Sequence, residues 1–386
     1  MISSSYRILM FSMSSYEEWK QGTRNRNYYI LHELLKRPEI KKVIMVEYLP
    51  IQWRKKLRAL WFVLLGIYKS NYQVIAKDYG GILYSVDGKL KVYTSYRMGG
   101  LLSRLRRFTD TPLETGEKQI IWSYFPLYTG YLYNLRKNMF VFDAVDDWRA
   151  HPAYHKYIKL LAKNYDDIAK KADYIFTVSQ HLKQHLFSDN KNARWIPNGV
   201  DVENFAEAPS QTKKTGKKII VGYVGTIQSR VDFELVCFLA ERHPDKQFVF
   251  VGPVWKDAEA HRISNCGNVI LTGPVPHDEL KHYLTTFDAA IIPHKVNPLT
   301  ISMNPMKFYE YLAFGLPVVS TQKIVDDERL LYHAKNREEF SEHISRAIAE
   351  NTPEFEDYRM AYASNNSWKN KVDEMMRVIK EMKIAK

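Results

Sequence analysis

Lys307 and Glu310 stand three residues apart just after Pro305, in the run Ser302-Met303-Asn304-Pro305-Met306-Lys307-Phe308-Tyr309-Glu310. Three-residue spacing puts an ammonium and a carboxylate on one face of a helix. A proline is tolerated in a helix's first turn, and the N–H groups around Asn304 to Met306 then stay free at the positive end of the helix dipole. Such an end binds phosphate. A cation near the helix start, with a carboxylate one turn later, suits a nucleoside diphosphate: the ammonium meets phosphate and the carboxylate accepts from ribose hydroxyls. The same spacing also suits an exposed Lys–Glu pair worth about 0.2–0.5 kcal/mol.

A second group of chemistry-bearing residues is Asp143-Ala144-Val145-Asp146-Asp147, directly after the apolar run Met139 to Phe142. Ligands collect at the carboxyl ends of strands in doubly wound sheets. Neighbouring carboxylates raise one another's pKa, which matches one of them to proton abstraction. Asp146, ahead of Asp143, is the candidate base. The alternative is a capping role for Asp143 with the others solvated. His151 and His155, like His181 and His185, form i,i+4 pairs, but no third ligand accompanies them, so a metal site is not expected.

The elements that must position these residues alternate along the chain. A strand at Arg7 to Ser12 precedes a helix carrying Tyr29, Leu31, Leu34 and Leu35 and a strand at Val43 to Glu47; further strands fall at Gln119 to Trp122, Met139 to Phe142 and Tyr174 to Val178. Ile158, Leu161, Tyr165 and Ile168 mark one helix face, and Ser179 is placed to cap another. A second series runs from Lys218 to Ser320, and one long amphipathic helix is expected from about Glu354. The pattern reads as α/β, with two Rossmann-like domains at residues 1–205 and 218–352, a linker at 206–217 and a C-terminal segment, 353–386, packing back on the first domain.

With 386 residues, 45% hydrophobic and 26% charged, disordered and disulfide-scaffold classes are excluded. The two cysteines, Cys237 and Cys266, fit a reducing compartment. The longest apolar run, Ala59 to Ile67, is about half of the roughly 20 residues a spanning helix needs, and the N-terminus does not read as a signal peptide. The net charge of +13 is one-sided: residues 1–200 carry 32 Lys and Arg against 17 Asp and Glu, and the remainder is net −2. A one-sided bias suggests that one half meets an anionic surface or substrate, the alternative being a solvated basic face with no partner. Trp53 to Lys69 joins Arg54, Lys55, Lys56 and Arg58 to a Trp- and Leu-rich stretch. It suits either a bilayer interface or the first domain's core.

The segment Tyr311-Leu312-Ala313-Phe314-Gly315-Leu316-Pro317-Val318-Val319, taken with Pro305, Lys307 and Glu310, resembles the group 1 (family 4-like) glycosyltransferases of GT-B fold. The resemblance runs over about residues 119–322 and includes Ile196-Pro197-Asn198-Gly199-Val200-Asp201 and Gly222-Tyr223-Val224-Gly225 in the family's order. It implies that Glu310 holds the donor ribose and Lys307 the diphosphate. Gly225 and Thr226 would form the turn beneath the phosphates, Arg230 would stand near the place of a phosphate-binding lysine, and the backbone of Val275 and Pro276 would read the nucleobase. Ser302 replaces the first glutamate of the retaining members. The Met-x-Pro-x-Lys variant looks like teichuronic acid glycosyltransferases and xanthan glucuronosyltransferases, with Met303 and Met306 lining the donor site.

The expectation is a metal-independent, inverting hexosyl or glucuronosyl transfer without a cofactor, from a nucleotide-sugar donor, a UDP-sugar, to a lipid-linked or cell-surface saccharide acceptor. The enzyme would lie at the cytoplasmic face of an anionic membrane. A GT-B nucleotide-sugar 2-epimerase is the alternative. A basic nucleic-acid-binding module is a weaker one, for no reader motif interleaves aromatic and basic residues, so no nucleic-acid partner is expected.

Overall fold

A computed structural model describes residues 5–48, 53–70, 72–97, 99–205, 218–256, 258–276 and 279–381. The chain divides into two compact units, residues 1–197 with 372–386 and residues 198–371. The expected linker, 206–217, lies outside the described residues.

The sheet of the first unit runs β3-β4-β5-β2-β1-β6-β7-β8-β9. Its strands are β1 (Ser5–Ser12), β2 (Ile40–Tyr48), β3 (Gln73–Asp78), β4 (Gly81–Ser85), β5 (Leu90–Ser95), β6 (Glu117–Ser123), β7 (Met139–Ala144), β8 (Tyr174–Thr177) and β9 (Ala193–Trp195). Ile8, Leu9, Met10 and Phe11 are all buried, as expected of a central parallel strand covered on both faces. β1 pairs in parallel with β2 and β6, Phe11 lying opposite both Val46 and Ser123. The helix Arg26–Leu35 starts where Asn25 Oδ1 accepts from the Tyr28 N–H at 3.2 Å and buries Tyr29, Leu31 and Leu34. Ser179 caps its helix as expected, accepting from the Leu182 N–H at 3.2 Å. The antiparallel edge β3–β4–β5 was not foreseen: β3 is exposed along nearly its whole length and has no apolar alternation to announce it.

The second unit has an all-parallel sheet, β12-β11-β10-β13-β14-β15. These strands are β10 (Ile219–Val224), β11 (Lys246–Val251), β12 (Val269–Gly273), β13 (Ala289–Ile292), β14 (Val318–Ser320) and β15 (Tyr332–His333). Cys237 and Cys266 are free thiols whose sulfurs lie 3.7 Å apart.

The single C-terminal helix expected from Glu354 is two, Pro353–Asn365 and Trp368–Glu381. The break has a long-range cause. Val200 N–H donates to Asn366 O and Trp368 N–H to Val200 O, both at 3.1 Å, so a strand-like crossing takes backbone groups that would have continued the helix. Gly199 permits it, because a Cβ there would stand 2.7 Å from Asn366 O. Residues 353–371 belong to the second unit and only those from Val372 onward to the first, whereas the sequence pattern placed all of 353–386 with the first.

Gly225 ends β10 at φ +129°, and Gly252 ends β11 at φ +140°, a region that side chains avoid. A Cβ on Gly252 would stand 2.3 Å from Gly225 O. Gly252→Ala is therefore expected to destabilise the protein by about 1–3 kcal/mol or more, read as a lower urea midpoint at unchanged m.

Candidate functional site

In the second sheet the strand order reverses between β10 and β13, the position at which open α/β sheets bind ligands. Three segments meet there. The Gly225 turn follows β10, residues 293–305 follow β13, and the helix Met306–Ala313 follows them. Pro305 occupies the helix cap with φ −65° and supplies no side-chain acceptor to the first turn, where the Phe308 N–H donates to Pro305 O at 3.2 Å. Tyr311 locks this helix to β10, its hydroxyl accepting from the Val224 N–H at 2.8 Å.

Lys307 extends over the Tyr223 ring, with Nζ 3.7 Å from the ring centroid. A Cβ at Gly225 would come within 3.1 Å of that nitrogen and would push it aside by a few tenths of an ångström, so glycine leaves the lysine the most room at the turn. Glu310 lies one helical turn on, yet among the described ion pairs none joins it to Lys307 or Arg230. Arg230 sits in the turn before the helix Phe233–Arg242. Its Nη1 approaches Met303 Sδ at 3.5 Å, and Gln228, oriented so that its carbonyl faces the guanidinium, accepts from Nε at 2.9 Å.

The electrostatics follow from this incomplete pairing. Burial holds the Lys307 pKa well below that of an ordinary lysine; the charge of Arg230 lowers it further, and Glu310 opposes both. The Glu310 carboxyl is pushed up to about 7 by burial, against the pull of Lys307. His294, directly beyond β13, is buried and held neutral by the same causes, burial first and then the charges of Lys307 and Arg230. Its Nδ1 lies 3.2 Å from Gln322 Oε1. His294 was not among the expected residues; its only signal was a histidine right after an apolar strand.

The other expected donor residues divide by what their side chains touch. Ser302 is buried and its hydroxyl donates to Leu299 O at 2.7 Å. Asn304 Oδ1 accepts from the Asn198 N–H at 2.8 Å. Both side chains thus hold the loop in shape. Met303 and Met306 are half-buried beside the helix start, and Thr226 O accepts from the Tyr223 hydroxyl at 3.2 Å. Val275 packs partly on the core, Pro276 is exposed, and the next two residues lie outside the described set.

In the first unit the expected carboxylates separate cleanly. Asp143 is fully buried, and Arg26 Nε donates to both of its oxygens at 3.0 Å. Burial raises its pKa and Arg26 lowers it. A carboxylate enclosed by protein and already paired cannot reach an acceptor hydroxyl, so Asp143 is corrected from candidate base to part of the framework. Asp147 caps the turn that follows, its Oδ1 accepting from the Arg149 N–H at 3.0 Å. Asp146 is half-buried at the end of β7, and the Tyr165 hydroxyl donates to its backbone oxygen at 2.9 Å.

Residues 218–350 match the family described as "Glycosyl transferases group 1". Over 323 residues the chain is 26% identical to the "Putative teichuronic acid biosynthesis glycosyltransferase TuaH" of Bacillus subtilis, covering 79% of this chain and 78% of that one. Sucrose-phosphate synthase from Thermosynechococcus elongatus superposes with a TM-score of 0.67 at 16% identity, covering 99% of this chain and all of that one. An E. coli trehalose-6-phosphate protein bound with UDP-2-fluoro glucose superposes at 0.66 and 10% identity, covering 96% and 98%.

Two outcomes follow. If Lys307 meets a diphosphate as the sequence suggests, replacing it with Ala removes a charged hydrogen bond of about 1.5–3 kcal/mol, and nucleoside diphosphate affinity should fall about tenfold or more by calorimetry. Glu310→Gln tests the raised carboxyl. Between the ordinary 4.5 and about 7, the folded protein holds a proton that the unfolded chain has lost, so the wild type loses stability as pH rises through that window. The variant, measured by thermal unfolding, should gain on the wild type from pH 5 to 8.

Proposed function

Taking the chain as a GT-B glycosyltransferase, we propose that its second unit binds a UDP-sugar and that a hexosyl or glucuronosyl group passes to a hydroxyl of a saccharide acceptor. The observation that carries this reading is Lys307, set at the Gly225 turn beside an uncapped helix start and Arg230, with no carboxylate paired to it. A diphosphate supplies the charge this arrangement lacks, and Glu310, one turn on, suits the ribose. The uridine assignment is supported by the structural relative described with UDP-2-fluoro glucose.

The proposed transfer is inverting and needs no metal. Ser302 stands where retaining relatives carry a carboxylate, and its hydroxyl is spent on Leu299 O. Asp146 takes the proton of the acceptor hydroxyl, the freed oxygen bonds to the anomeric carbon, and the bond from that carbon to the diphosphate breaks. Lys307, Arg230 and the helix-start N–H groups stabilise the departing nucleoside diphosphate. The acceptor is a lipid-linked or cell-surface polysaccharide, a reading supported by the relative named for teichuronic acid biosynthesis. No helix among the described residues is long and apolar enough to cross a membrane. The enzyme is proposed to sit peripherally on the cytoplasmic face of the membrane, a reading supported by the basic surplus of residues 1–200.

Asp146→Asn is expected to lower transfer at least a hundredfold while UDP affinity stays within twofold, measured by product formation and calorimetry on the same preparation. Full transfer by this variant would remove Asp146 as the base. Release of a free epimerised sugar from donor alone would overturn transfer itself.

A further inference from the structure

The helix Trp53–Lys69 faces two ways. Val63 and Ile67 are buried in the first unit, and Glu17 packs across Gly66 so closely that a Cβ there would stand 2.2 Å from its carboxyl carbon. On the other side, Leu57, Trp61, Leu64 and Tyr68 follow one another at four-, three- and four-residue spacing and are exposed, Trp61 by 65% and Tyr68 by 82%. The next element is β3, the sheet's edge, which exposes Val74 and Ile75, with Tyr79 just beyond it. Scattered single hydrophobics on a surface need no explanation, but seven within 23 residues, on a helix and the adjoining edge strand, mark a surface made to be covered.

Charge identifies what covers it. Residues 53–107 hold twelve Lys and Arg against two Asp, a net of +10 within a chain of +13. The helix itself carries Arg54, Lys55, Lys56, Arg58 and Lys69 and no acidic residue. Of the two acids, Asp78 is occupied by Arg107 and Arg104. Lys69, Lys77 and Arg97 are exposed. A protein partner would have to match an apolar stripe and supply acids around it. An anionic bilayer does both at once, with acyl chains for Leu57, Trp61 and Leu64 and headgroups for the exposed Lys69, Lys77 and Arg97.

We propose that the helix 53–69 and the strand 73–78 together form the surface by which this protein lies on an anionic membrane. This extends the peripheral placement proposed above and is independent of donor chemistry. It gives the exposed edge strand a function.

The test is co-sedimentation of the full chain with phosphatidylglycerol–phosphatidylcholine vesicles and with phosphatidylcholine vesicles alone. The wild type should partition to the anionic vesicles at least tenfold more strongly, and the preference should shrink with salt. Trp61→Ser with Tyr68→Ser, and separately Val74→Ser with Ile75→Ser, should each weaken partitioning about tenfold while UDP affinity holds. In the wild type, amide exchange over residues 53–79 should slow when anionic vesicles are added. Unchanged partitioning by the helix variant, equal binding to both vesicle types, or exchange protection that arises from dimerisation without lipid would each overturn the proposal. Loss of the strand effect alone would overturn its composite nature. A failure of UDP binding with vesicle binding intact would count against the donor reading only.

Discussion

Most charges inside a folded protein are neutralised by the protein itself, because an unpaired buried ion is costly. Lys307 departs from that rule. It is surrounded by the Tyr223 ring, the Gly225 turn and the start of its own helix, with Arg230 adding a second positive charge and no ion pair to Glu310 among the described residues. Much of the second unit's local structure serves to maintain this arrangement. Gly225 and Gly252 allow β10 and β11 to end in contact, Tyr311 fastens the helix to β10, and the side chains of Ser302 and Asn304 shape the loop instead of approaching the charge. Under the proposed function, the partner this nitrogen lacks within the described protein arrives with the donor.

The first unit shows the opposite solution with the same chemistry. Arg26 and Asp143 are buried, where Lys307 is half-buried, and each is the other's counterion, with Nε 3.0 Å from both carboxylate oxygens. Removing one partner of such a pair typically costs about 3–5 kcal/mol, which suits a framework and not a reactive group. Its effect is to fix the end of β7, so that Asp146, three residues on, emerges from a rigid base. Pairing therefore separates structural charge from functional charge in both units, and it does so where residue type alone did not.

The sequence was most legible where physics is local. The helix holding Lys307 and Glu310 was readable from Pro305 at its start and from Gly315 beyond its end, where φ is +67°. The apolar runs after residues 218, 246 and 288 became β10, β11 and β13 because a covered parallel strand needs little besides such a run. What escaped depends on distant partners. Asp143 is silenced by an arginine 117 positions away, and the last helix is broken at Ser367 by the chain passing at Val200. For residues 53–69 the core and membrane readings were both compatible with Leu60, Val63, Leu64 and Ile67. The structure divides them, burying Val63 and Ile67 and exposing Leu64 with Trp61.

If Lys307 awaits a diphosphate, binding must change its protonation. Burial, and then the charge of Arg230, hold its pKa well below that of an ordinary lysine in the free protein, and an arriving dianion opposes both by favouring the ammonium. The direct measurement is UDP binding by calorimetry in buffers of different ionisation enthalpy between pH 7 and 9. The account predicts a net uptake of protons that disappears in Lys307→Ala. Binding with no proton uptake, or with protons released, would contradict it.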